Sequence, residues 1–316
     1  MAVAEPRRLS KVRAGAVVLA TGAIEQPTVF RNNDLPGVLL ASGAQRLLYR
    51  YAIAPGVRAC VVAANRQGYE AALDLAAQGV VVSTLVDLRV GADAELKARA
   101  SAAKIEVLEG WAPFAARAGA GGALAGVAVA PVRASPGALD TARLRQLECD
   151  ALLLSTGWAP ALQLAAQAGV RVGFDAATQQ HRAGDLPPGL FIAGRAAGVC
   201  EFAARVADGT RAGAAAAAAA RSAGAGSGSG AGVAAPAAVH SAGAAPRPEV
   251  ASHAFAIFDH PRGRNFVDFD EDLQVKDLEH AAQEGFDSVE LLKRYSTVGM
   301  GPSQGKHSNL NAVRVL

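Results

Sequence analysis

Residues 58–87 read RACVVAANRQGYEAALDLAAQGVVVSTLVD, and this stretch decides the fold. Arg58–Ala63 is an apolar run of strand length. Gly68–Gln78 carries Ala and Leu at helical spacing and is stopped by Gly79. Val80–Val86 is a second strand, closing on Asp87. Strand, helix and strand in this order form a βαβ unit, and a helical crossover requires the two strands to run parallel.

Working outward, Ile105–Glu109, Gly126–Val132, Cys149–Ser155 and Leu190–Ala193 extend the strand series. Upstream, Val12–Gly22 reads as a strand ending in a turn, Asn32–Gly37 is dense in turn residues, and a helix is expected over Leu39–Tyr51. Residues 1–221 are therefore an α/β region. From about Ala212 to Ser252 the chain is almost only Ala, Gly, Ser and Pro. Its first part can finish a helix, and residues 222–252 read as a flexible low-complexity linker. Residues 253–316 read as a small helical module. Val275–Glu284 is opened by Asp272 or Gln274 and stopped by Gly285. Val289–Arg294 has Ser288 as its N-cap, and a third helix begins near Asn309.

The bulk numbers exclude several classes. A net charge of +3 with no dense Lys/Arg run gives no nucleic-acid signature. Cys60, Cys149 and Cys200 form no CxxC pair, so neither a disulfide framework nor a zinc site is implied, and a reducing cytoplasm is the expected compartment. The apolar runs Ala16–Ala20 and Ala214–Ala220 are too short to span a bilayer, so no membrane partner is expected. His280 and Glu284 stand at i and i+4, which is more simply a solvated face than a metal pair. No metal ligands and no catalytic residues are assigned to the chain.

A dinucleotide loop in the βαβ unit should read GxGxxG, the glycines letting a pyrophosphate approach the helix N-terminus. The six residues are Ala63-Ala64-Asn65-Arg66-Gln67-Gly68, so only the third glycine, which serves helix–strand packing, is present. Asp87 stands where a ribose-binding acid belongs. The unit reads either as a NAD site or as a Rossmann shape that has lost its ligand; NAD binding is expected to be weak or absent. Two strands end in Thr-Gly, at Thr21-Gly22 and Thr156-Gly157, and Phe191-Ile192-Ala193-Gly194 follows the last strand. This series resembles the two-dinucleotide flavoprotein fold of the glutathione-reductase type, with Thr21, Gly22, Thr156, Gly157 and Gly194 as nucleotide-wall positions. Only about twenty residues precede Thr21, so the first βαβ unit of that fold is expected to be missing, and Arg195 stands where the family usually has an acid.

The last region resembles a small helical module that carries a [2Fe–2S] cluster on Cys-x-Cys-Glu and Gly-Met-Gly-x-Cys-Gln-Gly-x-x-x-Cys. The four cysteine positions hold Asp268, Asp270, Ser303 and Ser308, beside Glu271, Gly299-Met300-Gly301 and Gln304-Gly305. Thiolates hold such clusters, so no iron–sulfur cluster is expected. Together with Pro27, Phe30, Asn33-Asp34, Pro36-Gly37-Val38, Phe266-Val267-Asp268-Phe269 and Lys293-Arg294-Tyr295, these residues make the chain similar to the α subunits of heterotetrameric sarcosine oxidases. The resemblance implies an internal piece of a subunit about three times longer, cut by a truncated or misassigned reading frame. It implies a FAD-bearing β subunit and small γ- and δ-type subunits as partners, and an FMN at the α–β interface. Lys293, Arg294, Thr297, Gln304, Lys306 and Ser308, around glycines 299, 301 and 305, have the donor types an FMN phosphate needs. The rival readings are the corresponding subunit of a related amine, opine or hydroxyproline oxidoreductase and a non-enzymatic interaction scaffold.

Overall fold

The computed structural model describes residues 2–5, 8–91, 93–225 and 252–316. Its contacts form two compact units, one of Met1–Ala23 with Ala159–Glu249 and one of Ile24–Trp158 with Val250–Leu316. The composition of the chain suggests a cut at the Ala/Gly/Ser/Pro stretch, whereas packing draws residues 253–316 into one body with residues 24–158. Residues 226–251 of the expected linker lie outside the described residues, and residues 222–225 end the helix Phe202–Ala225.

The larger unit is built on five parallel strands. Their order is Val38–Leu40, Ala151–Ser155, Arg58–Ala63, Val81–Asp87, Glu106–Glu109. Successive side chains on a strand point to opposite faces. Ala59, Val61 and Ala63 accordingly face a core shared with the helices Ala41–Tyr51, Arg66–Ala77 and Ala94–Ala102. Cys60 and Val62 face a second core, closed by an antiparallel sheet of Trp111–Ala118, Leu124–Pro131 and Arg145–Leu147. A parallel sheet covered on both faces reads as unbroken apolar runs, as residues 58–63 do.

The helix Arg66–Ala77 buries Gly68, Ala71, Ala72 and Leu75 at i, i+3, i+4, i+7 spacing, with Gln67 and Tyr69 buried beside that stripe in the first turn. Full burial of Leu75 and Leu85 is worth about 1.5–3 kcal/mol for each side chain. Gly79, at φ 86°, ends the helix in the left-handed conformation that glycine adopts at least cost.

A strap, residues 24–33, carries the helical module in this unit. Val29 donates to the Ala256 carbonyl at 2.9 Å and accepts from the Phe258 N–H at 2.8 Å. The Asn33 carboxamide pairs with Phe266 in both directions, at 2.8 and 3.1 Å, and Asn311 donates to the Pro27 carbonyl at 2.9 Å. Val29, Ile257, Val267, Val275, Leu278, Leu292 and Val298 then share one apolar core. The module's helices are Val275–Gln283, Val289–Ser296 and Asn309–Val315. Asp277 accepts the Gln274 N–H at 2.8 Å in a capping box, and Ser288 caps the second helix as its sequence predicts.

The smaller unit pairs Val17–Leu19 in parallel with Leu190–Ile192, beside the helix Phe202–Ala225. It also carries antiparallel pairs of Ala2–Glu5 with Arg8–Lys11 and Val172–Asp175 with Gln180–Ala183. Among the described residues no helix is long and apolar enough to cross a membrane.

Candidate functional site

The dinucleotide loop is closed by its own side chains. Asn65 caps the helix Arg66–Ala77: its Oδ1 accepts the Gly68 N–H at 3.1 Å and the Ser155 hydroxyl at 3.1 Å, and the residue is fully buried. That amide is one of the helix N-terminal donors that a pyrophosphate would need. A Cβ on Gly68 would meet the Ala63 methyl at 2.5 Å, so this glycine serves helix–strand packing. Asp87 is fully buried and committed. It takes two hydrogen bonds from the Arg89 guanidinium, at 3.0 and 2.8 Å, one from the Arg89 N–H at 2.9 Å and one from the Tyr69 hydroxyl at 2.8 Å. Burial and the Asp87 charge push the Tyr69 phenol upward, so it remains a donor. A ribose hydroxyl would have to displace a bidentate arginine, and the residues present do not fit a bound dinucleotide.

The Thr-Gly turns are also occupied. In the larger unit the Thr156 and Thr28 hydroxyls bond each other at 2.8 Å, both buried, and the Gly157 carbonyl accepts the Gln26 N–H at 2.8 Å. In the smaller unit the Thr21 hydroxyl donates to the Ala161 carbonyl at 2.7 Å, and Gly22 has φ 76° with open space around it. Gly194, at φ 70°, donates its N–H to Asp208 at 2.7 Å. Asp208 also pairs with Arg211.

In the helical module the structure brings together what the chain separates. Asp268, Asp270, Ser303 and Ser308 line one pocket of about 240 Å³ with Pro27, Leu40, Val267, Phe269 and His307. None of the four carries sulfur; Cys60 and Cys149 lie in the core beneath the antiparallel sheet. Carboxylates and hydroxyls do not provide the thiolate set of an iron–sulfur centre. Instead the two carboxylates act as clasps. Asp268 accepts the N–H of Gly299 at 2.8 Å and of Asp270 at 2.9 Å. Asp270 accepts the N–H of Ser303 at 2.7 Å, and side-chain and backbone hydrogen bonds from Ser303 hold its carboxyl below the usual carboxylate range. Each clasp joins the 268–270 segment to the 299–303 segment, a link that shared metal ligands would otherwise make. Among the described residues no group of three or more His, Cys, Asp or Glu side chains is placed to hold a metal ion.

The glycines of this run are packing positions. A Cβ on Gly299 or Gly305 would collide with the Asn309 side chain, and one on Gly301 with Asp270. The expected phosphate donors divide into two sets. Lys293, Arg294, Gln304 and Lys306 are exposed, and Arg294 pairs with Glu290 on the same helix at 2.5 Å. A pair this exposed contributes at most about 0.5 kcal/mol and exchanges readily for a phosphate. Thr297 donates to Glu271 at 3.1 Å. Ser308 is enclosed, 1% exposed, and its hydroxyl oxygen is buried. It thus stands apart from the exposed set.

Residues 262–316 match the family model of the sarcosine oxidase A3 domain. The sarcosine oxidase subunit alpha of Rhizobium meliloti (strain 1021) is 32% identical over 309 residues, covering 98% of this chain and 29% of that protein. The corresponding subunit of Corynebacterium sp. (strain U-96) is 32% identical over 310 residues, covering 98% of this chain and 31% of that protein. The crystal structure of L-proline dehydrogenase from P. horikoshii has a TM-score of 0.59 at 19% identity, covering 97% of this chain and 53% of that one, so the two share a fold. The chain thus spans less than a third of the length of the curated relatives it matches. Over that span its sequence matches the sarcosine oxidase alpha-subunit family.

Proposed function

We propose that this chain is scaffold and interface wall within the alpha subunit of a sarcosine-oxidase-type complex, working in the cytoplasm. The complex would oxidise sarcosine to glycine, pass the one-carbon unit to tetrahydrofolate and deliver electrons to oxygen. The observation that carries the reading is the match to sarcosine oxidase alpha subunits across 98% of the chain. In this reading a FAD-bearing β subunit supplies the oxidation, small γ- and δ-type subunits complete the assembly, and the chain itself contributes no catalytic residue.

The chain's own task is to hold one side of an interface FMN. Lys293, Lys306 and Gln304 stand exposed, on or beside a turn that packed glycines make rigid, and Arg294 can exchange Glu290 for a phosphate oxygen. When bound, FMN would supply electron transfer toward oxygen; these side chains offset its phosphate charge and fix its position. NAD has no comparable place, because Asn65 and Arg89 already take the groups it would use. An iron–sulfur cluster is not part of the reading.

The test is a full-length version of the subunit co-expressed with its β partner, with FMN, FAD, iron and sulfide measured in one preparation. Lys306→Ala and Arg294→Ala should each lower FMN content and leave FAD content intact, with iron and sulfide absent from every sample. Unchanged FMN in both variants would overturn the interface assignment, and stoichiometric iron and sulfide would overturn the cluster-free reading.

A further inference from the structure

Two thiols far apart in sequence meet in the core between the parallel and antiparallel sheets. Cys60 lies on the central strand Arg58–Ala63, and Cys149 stands just before Ala151–Ser155, the strand beside it. Asp150 fixes the approach. Its N–H donates to the Arg58 carbonyl at 3.0 Å, and its carboxylate accepts the N–H groups of Val57 and Arg58 at 3.1 and 2.8 Å. Both cysteine side chains are buried in one apolar core, where the two thiols hydrogen-bond to each other. On the neighbouring strand the Ser83 hydroxyl lies 3.5 Å from the Cys60 sulfur.

The two thiols are not equivalent. The hydrogen bond from Cys149 lowers the Cys60 pKa, and the Ser83 hydroxyl and the charges of Arg58 and Arg145 add to it, against burial. The same hydrogen bond, together with burial, pushes Cys149 upward. Cys60 is thus the better thiolate, and the thiolate is the nucleophile in thiol chemistry. Cys149 keeps its proton and stands beside the sulfur it would attack, the place of a resolving cysteine. Access comes from the edge strand Arg145–Leu147, which is three residues long, pairs only with Leu124–Pro131 and ends just before Cys149. An edge this short opens locally without unfolding the whole unit.

We infer that Cys60 and Cys149 form a reversible disulfide when a peroxide oxidises them. The Cys60 sulfur attacks one oxygen of hydrogen peroxide, the O–O bond breaks, and the thiol proton leaves with the second oxygen as water. The resulting sulfenic acid is attacked by the Cys149 sulfur, the S–O bond breaks, and the hydroxyl departs with the Cys149 proton as a second water. Two thiols and one peroxide thus become one disulfide and two waters. The proposed passage of two electrons from sarcosine to oxygen would itself generate this oxidant, but the thiol pair does not depend on that reading.

The test is mass spectrometry of the full chain after treatment with hydrogen peroxide, alkylation of the remaining thiols and tryptic digestion without reductant. Peroxide is raised until Cys200, which is only partly buried, is oxidised. A link between peptides 59–66 and 146–171, lighter than their sum by two hydrogen atoms, is expected in the folded chain, and dithiothreitol should restore both thiols. Cys149→Ala should leave Cys60 as a sulfenic acid that dimedone labels, and Cys60→Ala should leave Cys149 unlabelled. Oxidation of Cys200 with no such link in the wild-type chain would overturn the inference, as would dimedone labelling of Cys149 in place of Cys60. Equal yields of the link in folded and urea-unfolded chain would overturn it too, because the pairing would then owe nothing to the fold.

Discussion

The Asp268 carboxylate accepts the Gly299 N–H at 2.8 Å across 31 residues of chain. One buried charge-assisted hydrogen bond thereby joins two segments that have no strand or helix in common. Asp268→Ala leaves the Gly299 and Asp270 amides without their acceptor, and a loss of about 2–3 kcal/mol is expected. Urea unfolding followed by circular dichroism measures it as a lowered midpoint. A midpoint equal to the wild type would show that the clasp contributes nothing.

Two glycines with similar backbone angles should respond differently to alanine. Gly305 has φ 71° and its missing Cβ is occupied by Asn309; Gly285 has φ 95° and open space. Gly285→Ala should cost about 1 kcal/mol, the left-handed penalty alone. Gly305→Ala should cost roughly 2–4 kcal/mol, adding overpacking against Asn309. Equal losses in thermal unfolding of the two variants would remove packing as the reason for the glycine.

The purified chain should give no measurable heat on titration with NAD. Asn65→Ala should not restore binding, and it should lower stability by about 1 kcal/mol or more through the lost helix cap. Sub-micromolar NAD binding by calorimetry would refute the closed-loop account, and Asp87 would then be the first residue to substitute.

Burial lowers the pKa of His253, and the nearby Arg314 guanidinium adds to the shift, against a hydrogen bond with Phe255 that opposes it. Burial also lowers the Arg314 guanidinium itself, to about 10. A histidine depressed in the folded state is neutral there and protonates first in the unfolded chain. The stability it contributes is therefore present above about pH 6.5 and is lost as pH falls toward its folded value. His253→Gln should flatten the slope of unfolding free energy against pH below about 6.5. An unchanged slope would assign that pH dependence to other groups, His181 and His260 among them, which burial also depresses.

Residues 58–87 were legible because both faces of a parallel sheet are buried, which writes continuous apolar runs and a one-faced helix into the sequence. The caps at Ser288 and Gln274 were legible because their chemistry is local. The strand Trp111–Ala118 was not: Pro113 breaks its pattern and Ala carries no alternation, and the pairing absorbs Pro113 at an irregularity opposite Val129. Asp87 was legible as a position at a strand end, while its capture by Tyr69 and Arg89 is tertiary. The same holds for glycines 299 and 305. Their φ angles suit a turn, but the reason no other residue fits is Asn309, which only the folded chain places there. Asp268, Asp270, Ser303 and Ser308 could be singled out from sequence, but their meeting around one pocket required the coordinates.

The strap at residues 24–33 bears on how the chain is made. Asn33 and its partner Phe266 are 233 residues apart, so the hydrogen bonds between them wait until that intervening length has been translated. At typical elongation rates that interval is roughly 10–50 s. Val29 and Phe30, completely buried in the finished unit, lack part of their cover for that time. Contacts with so large a sequence separation form late. A ribosome stalled anywhere before the module therefore holds a nascent chain with an apolar edge that chaperones or other nascent chains can capture.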